Sequence, residues 1–280
     1  MTIAPPGPTT AGGERSTRTG GEGGPGSRGA RNGLFPPLRG LLPLILVLLC
    51  WQLAAARLSP YFPPPTEWAQ ALVELARDGL LLPAATATVV TFCLGLTAAT
   101  VLGTLLGLAV GASSTVDQAL RPTLESARAM PPAAVVPIAT LLLGFTGTMK
   151  VVVVTSAAIW SILLNTRSGV RQLHPVLLDM SRSLQLNRRD QVRKVILPAL
   201  WPSIFLGVRV AAPVALVITL LVEILTQVDG IGALIALSQR NYEFAQGYGL
   251  ILVAGLFSLL VNALVSTLQA YVVMRHRPPR

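Results

Sequence analysis

The sequence predicts an all-α membrane protein with about six transmembrane helices. Of its 280 residues, 52% are apolar and only 12% are charged, and the mean hydropathy is +0.62. A soluble domain usually carries about 25% charged residues, so this chain has too few charges to cover a globule of its size. Long apolar segments and an uneven distribution of basic residues point to the same fold class.

Residues 1–37 differ in composition from the rest of the chain. They contain 10 of the 25 glycines and six prolines, with few large apolar side chains. Such a segment cannot bury enough apolar surface to offset its ordering entropy, so we expect a disordered, basic cytoplasmic tail. Residues 38–275 are predicted to form the transmembrane domain, and residues 276–280 a short cytoplasmic C-terminus.

Six apolar segments follow the tail, and a spanning helix needs about 20 apolar residues. The third and fourth are short and are separated by a Gly/Thr-rich turn at residues 144–148, which favours two spans over one bent element. The predicted spans are, in order, Leu38–Ala56, Ala84–Ala112, Ala129–Phe145, Met149–Leu164, Ile204–Leu225 and Gly249–Met274.

The basic residues predict that both termini are cytoplasmic. With six spans and the N-terminus inside, 17 of the 22 basic residues lie in cytoplasmic segments. Four lie outside, at Arg57, Arg77, Lys150 and Arg240, and Arg209 lies within the fifth span. Cytoplasmic loops of membrane proteins are enriched in Lys and Arg, so this division supports the N-in, C-in arrangement and a multi-pass protein of the cytoplasmic membrane.

Two features inside the apolar segments are candidates for packing or transport. Small residues recur every four positions in the second span, a pattern that lets another helix approach closely; they are Gly95, Ala99, Gly103, Gly107 and Gly111. Glu223 is an acidic residue within an apolar run of the fifth span, which suggests a place in a translocation path. The alternative for Glu223 is a position near the outer membrane edge, because residues 226–248 are polar and are predicted to lie outside.

The sequence offers no catalytic, metal or nucleotide motif. It has no HExxH and no GxSxG, and Cys50 and Cys93 form no CxxC pair. The run Gly144–Lys150 resembles a phosphate-binding loop only superficially, since Met149 and Val151 flank the lysine. We therefore expect no catalytic residue, no bound cofactor or metal in this chain and, despite the high pI, no nucleic-acid partner.

The longest predicted loop, residues 165–202, carries seven basic and two acidic residues. A short helix is predicted to begin at Pro175, with Leu177, Met180, Ser181 and Leu184 on one face. Asn187 is a predicted break, after which a basic helix runs from Arg188 and stops at Leu197-Pro198. A helix exposed only to solvent needs no apolar face, so this one is expected to pack on a partner protein or beneath the bundle.

This loop resembles the EAA loop of ABC importer permeases, in particular the nitrate, sulfonate and taurine group. The family pattern is Glu-Ala-Ala, three residues, Gly, nine residues and Ile-x-Leu-Pro. Here Asp179, Met180 and Ser181 stand in the first three positions, Gln185 replaces the glycine, and Val195-Ile196-Leu197-Pro198 ends the pattern. The resemblance covers about residues 38–275. Outside the loop it rests on Arg121-Pro122, Met130-Pro131-Pro132-Ala133 with Pro137, Gly207-Val208-Arg209-Val210-Ala211, and Glu223 followed by Gly230-Ile231-Gly232.

The resemblance implies a type I ABC importer permease, a transport subunit that is not an enzyme. It implies a homodimer in the lipid bilayer, with ATP bound by separate ABC ATPase subunits and substrate delivered by an extracytoplasmic binding protein. The implied ATPase contact comprises Leu177, Asp179, Met180, Ser181, Leu184, Gln185, Leu197 and Pro198. The implied solute is small and anionic, such as a sulfonate or nitrate. Two alternatives stay open at this point: an uncoupled or scaffold-type membrane subunit, and a membrane-embedded enzyme.

Overall fold

The computed structural model describes residues 37–55 and 61–275, and all their regular structure is helical, which confirms the predicted fold class. Contacts divide the chain into two units, Met1–Ile45 and Leu46–Arg280; in the first, residues 37–45 form the start of helix α1. The helices are α1 (Pro37–Ala55), α2 (Pro65–Arg77), α3 (Leu81–Gly111), α4 (Ser114–Arg128), α5 (Val135–Leu143), α6 (Gly147–Arg171), α7 (Pro175–Ser183), α8 (Arg188–Gln191), α9 (Leu197–Thr226), α10 (Ile231–Arg240) and α11 (Phe244–Arg275).

Four stretches of the described residues are long and apolar enough to cross a membrane. They are α3, α6, the continuous run Arg188–Thr226, and Phe244–Gln269 within α11. Helix α4 and the segment Pro132–Leu143 pass the same test together but are bent by 81°, so they could supply a fifth, broken span. The sequence predicts six spans, whereas the described residues contain four candidate spans, or five if the bent pair is one span.

The predicted third span is not one continuous helix. A short 3-10 turn, Pro132–Ala134, precedes α5, which has only nine residues. Pro131, Pro132 and Pro137 cause the interruption, since proline lacks an N–H and restricts the residue before it. The predicted separation of the third and fourth segments does occur: Gly144 adopts a φ of +68°, and the Thr146 hydroxyl accepts a hydrogen bond from Met149 N at 3.2 Å and caps α6.

Helices α3 and α6 pack tightly against each other and run parallel. Gly95 lies against Val154, and Gly111 lies against Val170. A Cβ atom at Gly107 would lie 2.7 Å from the carbonyl oxygen of Leu163, so only glycine fits there without a shift. The small residues predicted from their spacing thus face α6, which explains why the two backbones approach so closely.

Helix α9 runs antiparallel to α6 and completes the core. Gly207 lies against the backbone of Ile162, and Gly169 lies against Ser203. The predicted stop at Leu197-Pro198 is wrong: the helix that begins after the Asn187 cap passes through a π-helical segment, Val192–Ile196, directly into α9. The wider π turn accommodates the missing N–H of Pro198, as π segments do where a helix carries an irregularity.

Two amphipathic helices, α2 and α10, lie in segments to which the sequence analysis assigned no helix. Leu75 of α2 and Ile235 of α10 belong to one small core with Leu250 of α11. Aromatic rings gather at the same end of the bundle, where the Trp68 and Tyr248 rings are stacked with centroids 5.3 Å apart. Tryptophan and tyrosine concentrate at membrane–water interfaces, so this end of the bundle has the composition of an interfacial region.

Candidate functional site

Helix α7 presents an apolar face that no described residue covers. The helix begins at Pro175, as the sequence predicts. Met180 is 57% exposed and Leu184 is 69% exposed, and Val176 and Leu177 are also exposed. A depression of about 350 Å³ on this surface is lined by Val176, Asp179, Met180, Ser183 and Leu184. We call Val176, Leu177, Met180 and Leu184 the α7 face.

Ser181 does not belong to this face, contrary to the sequence prediction. Its side chain is buried, and its hydroxyl accepts a hydrogen bond from Gln191 Nε2 at 2.9 Å. This contact ties α7 to the start of the long helix that leads into α9. Ser181 therefore lies on the inner side of α7, although the residue before it in the chain, Met180, is exposed.

The chain leaves α7 through Gln185, which has a φ of +51°. Leu186 N donates to Ser181 O at 3.2 Å, which is the six-to-one hydrogen bond of a Schellman motif. Glycine usually occupies the left-handed position of that motif because it has no Cβ. Gln185 stands where the EAA pattern has its glycine, so the structure keeps the turn while the residue departs from the pattern.

The predicted loop 165–202 is much shorter in the structure. Helix α6 continues to Arg171, and helical structure resumes at Arg188, so residues 172–187 contain the short helix α7 and its two connections. Leu197 and Pro198 lie at the start of α9, beyond the π segment. They are therefore part of a spanning helix, separated from the α7 face by the whole of α8.

Asp117 holds the beginning of α4 against the end of α6. The Arg167 Nε atom donates to Asp117 Oδ1, and Arg171 Nη1 donates to Asp117 Oδ2 at 2.7 Å. Two charge-assisted contacts to one buried carboxylate fix the end of α6, from which the chain continues to α7. This cluster is not evident from the sequence pattern, because Arg167 and Arg171 lie 50 and 54 residues from Asp117 in the chain.

Glu223 is completely buried near the end of α9 and is paired with Lys150 of α6. Its Oε1 atom lies 3.4 Å from Lys150 Nζ, and its Oε2 atom accepts hydrogen bonds from Thr88 Oγ1 at 2.9 Å and from Gly232 N at 3.1 Å. Lys150 Nζ also donates to the carbonyl of Asp229. These groups, which we call the Glu223 cluster, join α3, α6, α9 and the start of α10.

Gly230 makes room for the Glu223 carboxylate. It has a φ of +155°, and a Cβ atom there would lie 2.1 Å from Glu223 Cδ. Ile231 N donates to Thr88 Oγ1 at 2.9 Å, while Gly232 N donates to the carboxylate itself, so the chain folds over Glu223. Glu223 therefore faces packed protein, and Lys150 lies buried beside it although the charge count assigned that lysine to an outer loop.

The partner of Glu223 was missed by the sequence analysis. One lysine in apolar α6 and one glutamate in apolar α9 are the kind of isolated opposite charges that pair when buried. The Gly144–Lys150 run is confirmed as a turn and a helix start, with the lysine turned into the core. Among residues 37–55 and 61–275, no group of three or more His, Cys, Asp or Glu side chains is placed to hold a metal ion.

Residues 99–278 match the family described as binding-protein-dependent transport system inner membrane component. The chain is 33% identical over 175 residues to the nitrate import permease protein NrtB of Leptolyngbya laminosa, covering 62% of this chain and 63% of the relative. It is 28% identical over 198 residues to the taurine transport system permease protein TauC of Escherichia coli, covering 68% and 72%. A structure of inward-facing MetNI, a methionine ABC transporter, superposes with a TM-score of 0.60 at 15% identity, over 70% of this chain and 98% of that chain.

Proposed function

This chain belongs to the family of binding-protein-dependent transport system inner membrane components, and we propose that the solute it moves is a small anion. As a member of that family it is a multi-pass inner membrane permease subunit of an ABC importer, a transport subunit and not an enzyme. The relatives named for nitrate and for taurine support the choice of an anion, since nitrate is an oxyanion and taurine carries a sulfonate group.

The α7 face supports docking of a separate ATPase subunit. Met180 and Leu184 are four residues apart and project from the same side of α7, and more than half of each residue is exposed. Apolar anchors of this kind, when buried in a partner's pocket, carry much of the binding energy of an interface. The Schellman turn at Gln185 and the Ser181–Gln191 hydrogen bond hold the face rigidly relative to α9, so a force applied to α7 reaches a spanning helix.

The proposal also covers how the complete transporter is assembled. Two copies of this chain form the path in the bilayer, each docks one ATPase subunit, and an extracytoplasmic binding protein delivers the solute. Both termini lie in the cytoplasm. The parallel run of α3 and α6 supports this topology, because it requires one crossing between them, which the bent pair of α4 and the segment Pro132–Leu143 supplies.

The observation that carries the anionic solute is the similarity to permeases named for nitrate and for taurine, and the exposed α7 face carries the docking of the ATPase. The test is uptake of labelled nitrate, taurine and ethanesulfonate by cells that lack this chain and by the same cells with the chain restored. We expect at least one of the three anions to enter only when the chain and its ATPase are both present. Uptake of none of them, with the chain present at normal levels in the membrane, would contradict the anionic substrate class.

A further inference from the structure

A cavity of about 420 Å³ opens between the turn at Pro132, the middle of α6 and the middle of α9. Its polar lining comes from Arg128, Ser156, Trp160 and Ser161, of which Ser156 donates its hydroxyl to Val153 O, and Val210 and Val214 contribute an apolar wall. No Asp or Glu is among the described residues that line it. The cavity thus has one cationic side and one aliphatic side.

Arg128 is the only charged residue that lines the cavity within the described part of the chain. Its guanidinium makes no hydrogen bond or ion pair with any described residue. Arg121, on the same helix, differs: its Nε atom donates to Glu125 Oε1 at 3.0 Å. Arg128 therefore keeps its donors available at the cavity.

Two neutral donors accompany the guanidinium. The Trp160 indole N–H and the Ser161 hydroxyl donate to no group of the described residues. An indole nitrogen can only donate, so it is complementary to an acceptor and not to a cation. Three unused donors around one cavity, with no acidic side chain, match an anion that offers several oxygen acceptors.

The cavity lies beside the middle of a helix that is a candidate membrane span. Trp160 lies near the middle of the 25-residue α6, which is long and apolar enough to cross a membrane. Arg128, the last residue of α4, lines the same cavity as Trp160. Ionisable residues that face a cavity inside a membrane bundle are functional candidates, and many mark solute pathways. The planar guanidinium fork also matches the paired oxygens of an oxyanion.

We propose that this cavity is a transit site for an organic oxyanion, whose charged head binds Arg128, Trp160 and Ser161 and whose short aliphatic body lies against Val210 and Val214. The proposal rests on the proposed function and deepens it, because it names the substrate class. An inorganic anion such as nitrate would leave the aliphatic wall and most of the volume without a contact.

The test compares ethanesulfonate uptake by cells carrying Arg128→Gln, Arg128→Lys or Arg121→Gln in this chain. Losing a hydrogen-bonded charge costs enough to lower uptake by about 10-fold or more in Arg128→Gln. Arg128→Lys keeps the charge without the planar fork, so we expect a smaller loss. Arg121→Gln removes a cation from the same helix outside the cavity, and its uptake should equal that of the unmodified chain. Membrane level and co-purification of the ATPase verify that each variant folds and assembles.

Unchanged uptake in Arg128→Gln, with the unmodified chain active, would overturn the assignment of the head group site. If Arg128→Gln does not reach the membrane, Arg128→Lys decides: reduced uptake at a normal membrane level supports the site, and unchanged uptake overturns it. Uptake of nitrate but not ethanesulfonate by the unmodified chain would overturn the role of the aliphatic wall. No uptake of either anion or of taurine would instead refute the proposed function, which separates the two failures.

Discussion

Replacing Lys150 with methionine should strongly destabilise the protein, because it leaves the Glu223 carboxylate buried without its countercharge. The side chains of the pair are 3% and 0% exposed, so water cannot take the place of the ammonium group. Thr88 Oγ1 and Gly232 N would remain as donors, but both are neutral. Removing one partner of a buried pair typically costs about 3–5 kcal/mol, and we expect Lys150→Met to fall in that range.

A second substitution can separate charge from packing. In the double variant Lys150→Met with Glu223→Gln, the Glu223 cluster buries no charge, and the glutamine side-chain oxygen can still accept from Thr88 and Gly232. The double variant should therefore be more stable than Lys150→Met alone, with a coupling energy of about 0.5–3 kcal/mol.

The matched control is Lys194→Met. Lys194 lies at the same 3.4 Å from its partner Asp190, but its side chain is 63% exposed. Exposed pairs contribute about 0–1 kcal/mol, so this variant should be nearly as stable as the unmodified chain. The assay is the free energy of unfolding, measured by titration of denaturant in detergent micelles. If Lys150→Met costs no more than Lys194→Met, the buried pair does not stabilise the bundle and the reasoning fails.

Four further predictions concern packing, the turn, coupling and topology. Gly107→Leu should lower the yield and melting temperature, because a Cβ atom added at Gly107 would lie 2.7 Å from a backbone oxygen of α6. The control is Gly255→Leu, which should lower neither, because Gly255 has open space around it. Equal effects of the two variants would contradict the α3–α6 packing. Gln185→Gly should raise the stability by about 0.5–1 kcal/mol in the same unfolding assay, since the φ of +51° is unfavourable for glutamine, and a loss of stability would show that the side chain matters more than the backbone. Leu184→Asp should reduce co-purification of the ATPase and the coupling of ATP hydrolysis to uptake, because a charge would be desolvated without a partner; retention of both would exclude the α7 face as the contact. In a chain without native cysteines, an impermeant thiol reagent added to intact cells should label Tyr242→Cys and not Leu184→Cys, and the reverse pattern would refute the N-in, C-in arrangement.

The elements that depend on local pattern were predictable from the sequence. The all-α fold is confirmed, and the predicted spans Ala84–Ala112 and Gly249–Met274 agree closely with α3 and with α11. The start of α7 at Pro175 and the break at Asn187 also follow from local chemistry, since proline suits a first helical position and asparagine caps the next helix.

The features that depend on tertiary register were not predictable in the same way. The Glu223–Lys150 pair joins residues far apart in the chain, and only the antiparallel packing of α6 on α9 brings them together. Helical spacing predicted that Ser181 lies on the exposed apolar face of α7, but its side chain faces inward and accepts a hydrogen bond from Gln191. Spacing along one helix does not reveal such a contact with another helix. The continuation of the helix through Pro198 depends on a π turn, which proline statistics do not anticipate.

We propose that this chain forms the membrane path of an ATP-driven importer for a small anion. The most direct measurement is ethanesulfonate accumulation in liposomes that contain the purified chain and its ATPase, with ATP inside and the extracytoplasmic binding protein outside. We expect accumulation above the external concentration that disappears when ATP, the ATPase or the binding protein is omitted. Accumulation that persists without ATP or without the ATPase, or its absence from the complete and correctly assembled system, would refute this function.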